Sequence, residues 1–292
     1  MFTATLIAAG ALSAADLDDA GKRLTAAGCA PGRFAWLDEG GAADLPFAAE
    51  PAAARAALAG VVAADVVVQP AAGREKRLLV ADMDSTMIGV ECIDELADYA
   101  GLKPAIAAIT DAAMRGELDF EGALDARVAL LRGLDAGVIE RCLAERVHLT
   151  PGARTLVGTM RARGARCVLV SGGFTRFAEP VARAIGFDRA VANELLIEDG
   201  RLTGAVRKPI VGAAAKLETL RAEAAALGIG LAETLAVGDG ANDLPMIAAA
   251  GLGIAYHAKP IVAAAAGALI DRGDLTTLLW AQGIARRDWV TG

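Results

Sequence analysis

Histidine and cysteine are scarce in this chain of 292 residues. It has four cysteines and two histidines, His148 and His257. The cysteines lie far apart and include no CxxC pair, which argues against zinc and disulfide frameworks and predicts small buried side chains. The histidines stand alone in sequence, so structural roles are favoured over catalysis or metal binding.

Positive charge and long apolar segments are also lacking. The formal net charge is -7 at pH 7, without the basic stripe that nucleic-acid-binding proteins carry. No apolar run approaches the roughly 18 residues that a membrane span needs, and residues 1–17 lack the basic segment of a signal peptide. We therefore expect a soluble, cytoplasmic protein that binds neither nucleic acid nor membranes.

Aromatic residues are few, at 4% of the chain, but hydrophobic residues reach 55%. This alanine-rich composition is typical of a compact α/β protein and not of a disordered chain. The length accommodates one large domain with an appendage, or two domains of ordinary size.

Strand-like and helical segments alternate in the first 70 residues. Their order is β, α, β, β, α, β, at residues 3–8, 13–28, 33–37, 44–48, 51–62 and 64–70. This is the ferredoxin-like pattern, which would bury a small sheet under two helices. The polar segment 70–77 indicates a boundary. We therefore predict an α+β domain over residues 1–72 and a second domain over residues 73–292.

The second domain contains short apolar runs between long helical segments. Residues 77–81, 167–171 and 234–238 are continuous apolar runs flanked by long helical segments, as expected of parallel strands covered on both faces. They predict a doubly wound parallel α/β sheet. Ligands of such sheets bind outside the carboxyl ends of the strands, and each of these runs ends in polar or glycine residues.

Two aspartates follow the first of these strands. Asp82 and Asp84 are two residues apart, so both side chains point to the same face if strand geometry continues. Their repulsion requires a bound cation, a shared proton or exposure to water. Ser171-Gly172-Gly173 follows the second strand, and Asp239, Asn242 and Asp243 follow the third, so oxygen donors would meet in one crevice. Such donors suit Mg²⁺, which would leave one ionised aspartate as a nucleophile.

Each motif alone has an ordinary explanation. A pair of aspartates after a strand is usually a helix cap or a solvated turn, and Ser-Gly-Gly is usually a turn. Lys216, at the start of a helical segment, would usually be solvated. Their joint order at three successive strand ends favours a functional interpretation.

Four segments together resemble the motifs of the haloacid dehalogenase (HAD) superfamily, and specifically its phosphoserine phosphatase family. They are DMDST, LVSGGF, the AAKLETL segment with Lys216, and VGDGANDLPMI. The resemblance spans residues 77–260 and includes residues 113–134 and 192–204. It implies a HAD core with a helical cap inserted at about residues 87–149. It also implies a Mg²⁺-dependent hydrolase that releases serine and phosphate from O-phosphoserine, the last step of serine biosynthesis.

The resemblance assigns catalytic roles residue by residue. Asp82 would be the nucleophile that forms an aspartyl-phosphate, and Asp84 the general acid and base. Mg²⁺ would bind the Asp82 carboxylate, the Asp84 backbone carbonyl and the Asp239 carboxylate, with Asp243 behind these ligands. The residues expected at the phosphoryl oxygens are Ser171, Gly172, Lys216 and, in a supporting position, Asn242.

The predicted cap carries the substrate residues. Phe120, Leu124, Val128 and Leu131 form an apolar helical stripe with Arg127 at its margin. From this helix alone Arg127 is a surface arginine. By resemblance, Arg127 binds the substrate carboxylate and Glu91 its ammonium. Met114 and Phe120 would be apolar lid residues that exclude water.

Of three alternative functions, one is rejected and two stay open at this stage. A dinucleotide-binding oxidoreductase is rejected, because residues 238–243 end in an acid where such a motif needs glycine. A HAD phosphatase or phosphotransferase acting on another small phosphorylated amino acid or alcohol shares the same motifs. A non-catalytic amino-acid-sensing protein is the third alternative. The first domain resembles the ACT type, and a role in packing or in a homodimer is the simpler expectation for it.

Overall fold

The computed structural model describes residues 1–8, 11–60, 64–114 and 117–290, without the side chains of residues 111, 113 and 114. An antiparallel four-stranded sheet organises the N-terminal part of the described chain, and a parallel six-stranded sheet organises the rest. None of the described helices has both the length and the apolarity needed to cross a membrane.

The N-terminal sheet has the predicted order of elements. In chain order these are β1 (Phe2–Ile7), α1 (Ala14–Ala26), β2 (Ala35–Asp38), β3 (Ala42–Phe47), α2 (Pro51–Leu58) and β4 (Asp65–Pro70). The spatial strand order is β2-β3-β1-β4 with antiparallel neighbours, which is the ferredoxin-like arrangement. Ser13 caps α1 and forms a capping box with Asp16, as an N-cap serine at this position predicts.

Both faces of this sheet are covered. Side chains alternate along β1, so Ala4 and Leu6 pack under the two helices, whereas Ile7 joins the core of the second sheet. The prediction of a sheet under two helices was therefore incomplete. Its second face, which includes the buried Thr3 and Thr5, lies against the rest of the protein.

A buried polar network joins this second face to the C-terminal part of the chain. The Arg74 guanidinium forms an ion pair with Asp44 and donates to the Thr5 hydroxyl and to the backbone carbonyls of Trp280 and Ala281. The side chains of Arg74 and Asp44 are only 13% and 16% exposed. The Arg74 and Asp44 charges pair with each other, and the network joins the N-terminal sheet to the C-terminal part of the chain, although the Arg74 Nε is left without a hydrogen-bond partner among the described residues.

The second sheet is parallel. Its strands are β5 (Leu78–Ala81), β6 (Arg166–Phe174), β7 (Arg189–Asn193), β10 (Thr234–Gly238), β11 (Leu252–Tyr256) and β12 (Ala268–Ile270). Their spatial order is β12-β11-β10-β5-β6-β7. A hairpin of β8 (Leu195–Glu198) and β9 (Arg201–Val206) stands apart from it. The helices between and after the strands are α7 (Ala153–Ala162), α8 (Thr175–Ile185), α9 (Ala213–Ala226), α10 (Leu244–Ala249), α11 (Pro260–Ala265) and α12 (Thr277–Ala281).

The central position of β5 in the sheet explains why its sequence is continuously apolar. All four of its residues are buried, with Leu78 and Val80 in one hydrophobic cluster and Leu79 and Ala81 in another. Both faces of the strand are therefore covered, and no position is left for a polar residue. The doubly wound parallel sheet predicted from the sequence is confirmed.

A helical insertion separates β5 from β6. It contains α3 (Cys92–Tyr99), α4 (Lys103–Met114), α5 (Phe120–Leu130) and α6 (Gly137–Glu145). Leu124 and Val128 on α5 are buried, as the apolar stripe predicts, and β9 packs against α5. The helical cap is thereby confirmed as a part of the fold. The residue limits 1–72, 73–292 and 87–149 stay predictions.

The buried network at Arg74 predicts a measurable contribution to stability. Arg74→Met should lower the free energy of unfolding by about 2 to 4 kcal/mol, because it leaves the Asp44 carboxylate buried without its cation. Urea unfolding followed by tryptophan fluorescence measures it, since Trp280 adjoins the network. The matched control is Arg23→Met, because the Arg23 and Asp19 side chains are about half exposed, at 49% and 53%. Its effect should stay below about 0.5 kcal/mol, and equal effects of the two substitutions would contradict this description.

Candidate active site

The carboxyl ends of three adjacent strands, β5, β6 and β10, open into a cavity of about 160 Å³ under the cap. Eight residues predicted for the site line this cavity: Asp82, Asp84, Glu91, Phe120, Arg127, Gly172, Asp239 and Asn242. Pockets for drug-sized ligands measure roughly 300 to 1,000 Å³, so this space suits a much smaller molecule. The structure thus brings together residues that are up to 160 positions apart in sequence.

Asp82 is held at the end of β5 by a buried lysine. Its backbone N–H still bonds the Val237 carbonyl of β10, which continues the sheet. Its Oδ1 accepts the Met83 N–H at 2.8 Å and lies 2.7 Å from Nζ of Lys216. Lys216 is fully buried on α9, and its ammonium also lies 2.6 Å from Oδ1 of Asp243. One cation therefore bridges two carboxylates.

The buried charges perturb each other's protonation. Burial and the nearby Asp243 carboxylate raise the pKa of Asp82 above its ordinary range. Burial by itself would lower the pKa of Lys216, but Asp82 and Asp243 outweigh this effect, so its pKa is raised. The charged form of Lys216 is therefore favoured at this position.

Asp84 points away from Lys216, toward the second strand end. Its Oδ1 accepts the backbone N–H of Cys92 at the start of α3, and its Oδ2 accepts the Ser171 hydroxyl at 3.1 Å. Burial and the charge of Glu91 raise the pKa of Asp84 to about 6. A carboxyl group with a pKa near neutrality can both give and take a proton at physiological pH.

Three carboxylates form an acidic cluster. Ligand atoms of Asp82, Asp239 and Asp243 lie within 4.8 Å of one another. Both Asp243 oxygens have partners, Lys216 and the Gly240 N–H, whereas Oδ1 of Asp239 accepts the Thr86 hydroxyl at 3.2 Å. Burial and the Asp243 charge raise the pKa of Asp239 to about 6. These oxygen ligands fit a hard divalent cation, which would offset their repulsion.

The cap supplies the opposite wall of the cavity. Glu91 and Arg127 both line it, and both are half-buried. The Nε of Arg127 donates to the Ala123 carbonyl of its own helix. Phe120 lies over Gly172 and Gly212, with ring atoms about 3.1 Å from where a Cβ would lie on either glycine. Met114 ends α4, but its side chain lies outside the described residues.

The last residues of β6 approach the cavity through their backbone. The Ser171 hydroxyl accepts the Gly173 N–H, and Asn193 donates to the Gly172 carbonyl at 2.8 Å. These two contacts fix the end of β6. Asn242 lines the cavity on the β10 side, and among the described residues it forms no hydrogen bond with Lys216.

Comparison with known proteins identifies the family. The family model of haloacid dehalogenase-like hydrolases matches residues 79–248. A phosphoserine phosphatase of Albidiferax ferrireducens is 47% identical over 208 residues, which cover 70% of this chain and 88% of that protein. The chain belongs to the phosphoserine phosphatase family of haloacid dehalogenase-like hydrolases.

Two further proteins show how much of this chain is matched. A phosphoserine phosphatase of Streptomyces coelicolor is 51% identical over 215 residues, 74% of this chain and 52% of that protein. The chain thus spans about half the length of this relative. The crystal structure of a HAD family hydrolase from Salmonella enterica serovar Typhi superposes with a TM-score of 0.84 at 31% identity, covering 96% of this chain and 98% of that chain. The fold match therefore includes the N-terminal sheet.

Sequence reasoning missed the polar residues Ser85, Thr86 and Lys259 at the site. Ser85 and Thr86 contact Glu91 and Asp239 through their hydroxyls, although the motif DMDST suggested roles for its aspartates alone. Lys259 lines the cavity from the loop after β11, and its N–H donates to the Asp239 carbonyl. The apolar run of β11 ends in His-Ala-Lys, so the strand-end argument would have found Lys259 had it been applied to a fourth strand.

The acidic cluster of this family member predicts cation binding that depends on Asp239. Titration of the full chain with Mg²⁺ by calorimetry should detect one site. Asp239→Asn should raise the Kd at least about tenfold, because the variant loses a charged oxygen ligand. Asp271→Asn, on an exposed carboxylate, is the control and should bind as wild type does. Equal Kd values for all three proteins would exclude the cluster as the cation site.

Proposed function

We propose that the protein is a cytoplasmic, Mg²⁺-dependent phosphoserine phosphatase that hydrolyses O-phosphoserine to serine and phosphate. One observation carries this proposal: a carboxylate pair at a strand end and two cap side chains of opposite charge, Glu91 and Arg127, line the same small cavity. The carboxylates supply the chemistry of phosphoryl transfer. The two cap residues match the charges of an amino acid.

In the proposed reaction, the Asp82 carboxylate attacks phosphorus and the bond from phosphorus to the serine oxygen breaks. Lys216 and the Met83 N–H both contact Oδ1 of Asp82, and no described residue donates to its Oδ2. Asp84, in its protonated form, gives its proton to the departing serine oxygen. The products of this first step are serine and an aspartyl-phosphate on Asp82.

The second step hydrolyses the aspartyl-phosphate. Asp84, now ionised, takes a proton from a water molecule, and the resulting oxygen attacks phosphorus. The bond between phosphorus and the Asp82 oxygen breaks, which restores the carboxylate and releases phosphate. The Cys92 N–H holds Asp84 in one orientation, so a single residue can serve both steps.

Groups around Asp82 would bind the phosphoryl oxygens. The Ser171 hydroxyl, the Gly172 N–H and the Lys216 ammonium are the proposed donors, with Asn242 beside them. Mg²⁺ bound by Asp82, the Asp84 backbone carbonyl and Asp239 would neutralise phosphoryl charge. Asp243 would stay off the ion, because both of its oxygens already accept hydrogen bonds.

Substrate selection would come from the cap. The Arg127 guanidinium would bind the serine carboxylate, and Glu91 would bind the ammonium. Phe120, together with Met114, would cover the phosphoryl pocket and exclude water. Phosphoserine carries all three recognised groups, whereas sugar phosphates lack the ammonium and the carboxylate.

We retain the domain limits 1–72, 73–292 and about 87–149 as part of this proposal. The buried network at Arg74 supports a packing role for the N-terminal domain, and a homodimer is the proposed assembly.

The cap assignment predicts that Arg127→Ala acts selectively. The variant should lower kcat/KM for phosphoserine by roughly 30-fold to several thousand-fold, since losing a charge-assisted contact in a closed site costs on the order of 2 to 5 kcal/mol. With p-nitrophenyl phosphate, which lacks a carboxylate, the loss should be much smaller. Phosphate release from both substrates in the presence of Mg²⁺ measures the difference.

Arg132→Ala is the matched control, because Arg132 follows the same helix and is exposed. Its kinetic constants should resemble those of wild type for both substrates. Equal losses by Arg127→Ala on the two substrates would mean that Arg127 supports the cap fold and does not select the substrate. Absence of phosphoserine turnover by the wild-type protein with Mg²⁺ would overturn the proposed function.

A further inference from the structure

Ser85 has an unusual backbone conformation for its position. It follows Asp84 directly, and its φ of 55° lies in the left-handed region that favours glycine. Most L-residues pay a cost for this conformation, and such residues persist at functional sites when their side chains are needed there. The Ser85 N–H donates to the Val90 carbonyl, so the backbone is held in a closed turn.

This conformation directs the Ser85 hydroxyl to Glu91. The hydroxyl donates to Oε1 of Glu91 at 2.7 Å. Glu91 precedes α3 at the N-cap position, but its side chain caps no backbone N–H of that helix. Among the described residues, Ser85 is the one hydrogen-bond partner of the Glu91 carboxylate, and Oε2 has none.

Glu91 needs such a partner because its neighbours repel it. Its charge acts on the carboxyl groups of both Asp84 and Asp239 across the cavity. An ionised Glu91 without a donor would therefore turn toward solvent, away from these like charges. The Ser85 hydroxyl offsets this repulsion and leaves Oε2 available to a ligand.

We propose that Ser85 is a positioning residue that fixes the Glu91 carboxylate for the substrate ammonium. It is thereby a determinant of specificity for phosphorylated amines. This inference rests on the proposed function, in which Glu91 receives the ammonium. Ser85 itself is not among the residues that line the cavity.

The first test is Ser85→Gly, which removes the hydroxyl and suits the positive φ. Thermal unfolding should therefore be close to that of wild type. The ratio of kcat/KM for phosphoserine to that for 3-phosphoglycerate, which has a hydroxyl in place of the ammonium, should fall roughly 5- to 30-fold. Most of this fall should come from a higher KM for phosphoserine. An unchanged ratio would overturn the positioning role.

Ser85→Ala separates the hydroxyl from the backbone. It removes the same donor but keeps the Cβ, so it should lower the ratio as much as Ser85→Gly does. If only Ser85→Gly lowers the ratio, backbone freedom is the cause and the proposal is wrong. Comparison of the two variants therefore distinguishes the loss of a hydrogen bond from an increase in the flexibility of the turn.

Glu91→Gln separates this inference from the proposed function. It should lower the same ratio, and Ser85→Gly added to it should cause little further loss, because both substitutions remove one interaction. A selective loss with Glu91→Gln and none with Ser85→Gly would leave the function standing and remove the role of Ser85. No selectivity change with Glu91→Gln would instead refute the ammonium site of the proposed function.

Discussion

The ion pairs of Lys216 hold the site together. Its ammonium is fully buried and lies 2.7 Å from Asp82 and 2.6 Å from Asp243. A buried ammonium is costly unless carboxylates surround it, and two buried carboxylates repel each other unless a cation separates them. Each group is therefore stable only in the presence of the others. This requirement ties α9 to the ends of β5 and β10.

The rest of the fold places the other residues of the site around Lys216. Parallel pairing of β5 with β6 and β10 brings Ser171 and Asp239 beside the pair of aspartates. The insertion between β5 and β6 then begins with Cys92, whose N–H binds Asp84. The segment of residues 82–92 thereby connects β5 to the cap helices. The position of the proposed substrate residues is thus coupled to the position of the proposed general acid.

The parts predicted from the sequence were those that depend on local pattern. Continuous apolar runs revealed the buried parallel strands, and polar residues at their ends revealed Asp82, Ser171 and Asp239, because strand ends meet at one edge. The cap stripe on α5 was visible at helical spacing. Local pattern did not predict roles for Glu91 and Arg127, which were identified only through the resemblance to a family.

The parts that escaped depend on contacts distant in sequence or on backbone conformation. The second face of the N-terminal sheet is covered through Arg74, which looks like a linker residue in sequence. The Ser85 hydroxyl belongs to a residue with a positive φ. A sequence indicates a positive φ mainly through glycine, so the role of this serine could not be predicted. Lys259 enters the cavity only because β11 lies beside β10.

The whole proposed reaction depends on covalent phosphorylation of Asp82. A crystal structure of the full chain with Mg²⁺ and beryllium fluoride tests this claim directly, since beryllium fluoride mimics a phosphoryl group on a carboxylate. We expect beryllium bonded to a carboxylate oxygen of Asp82, with fluorine atoms facing Ser171 and Lys216. Beryllium on any other side chain, or a cavity without it at saturating concentration, would show that Asp82 is not the nucleophile.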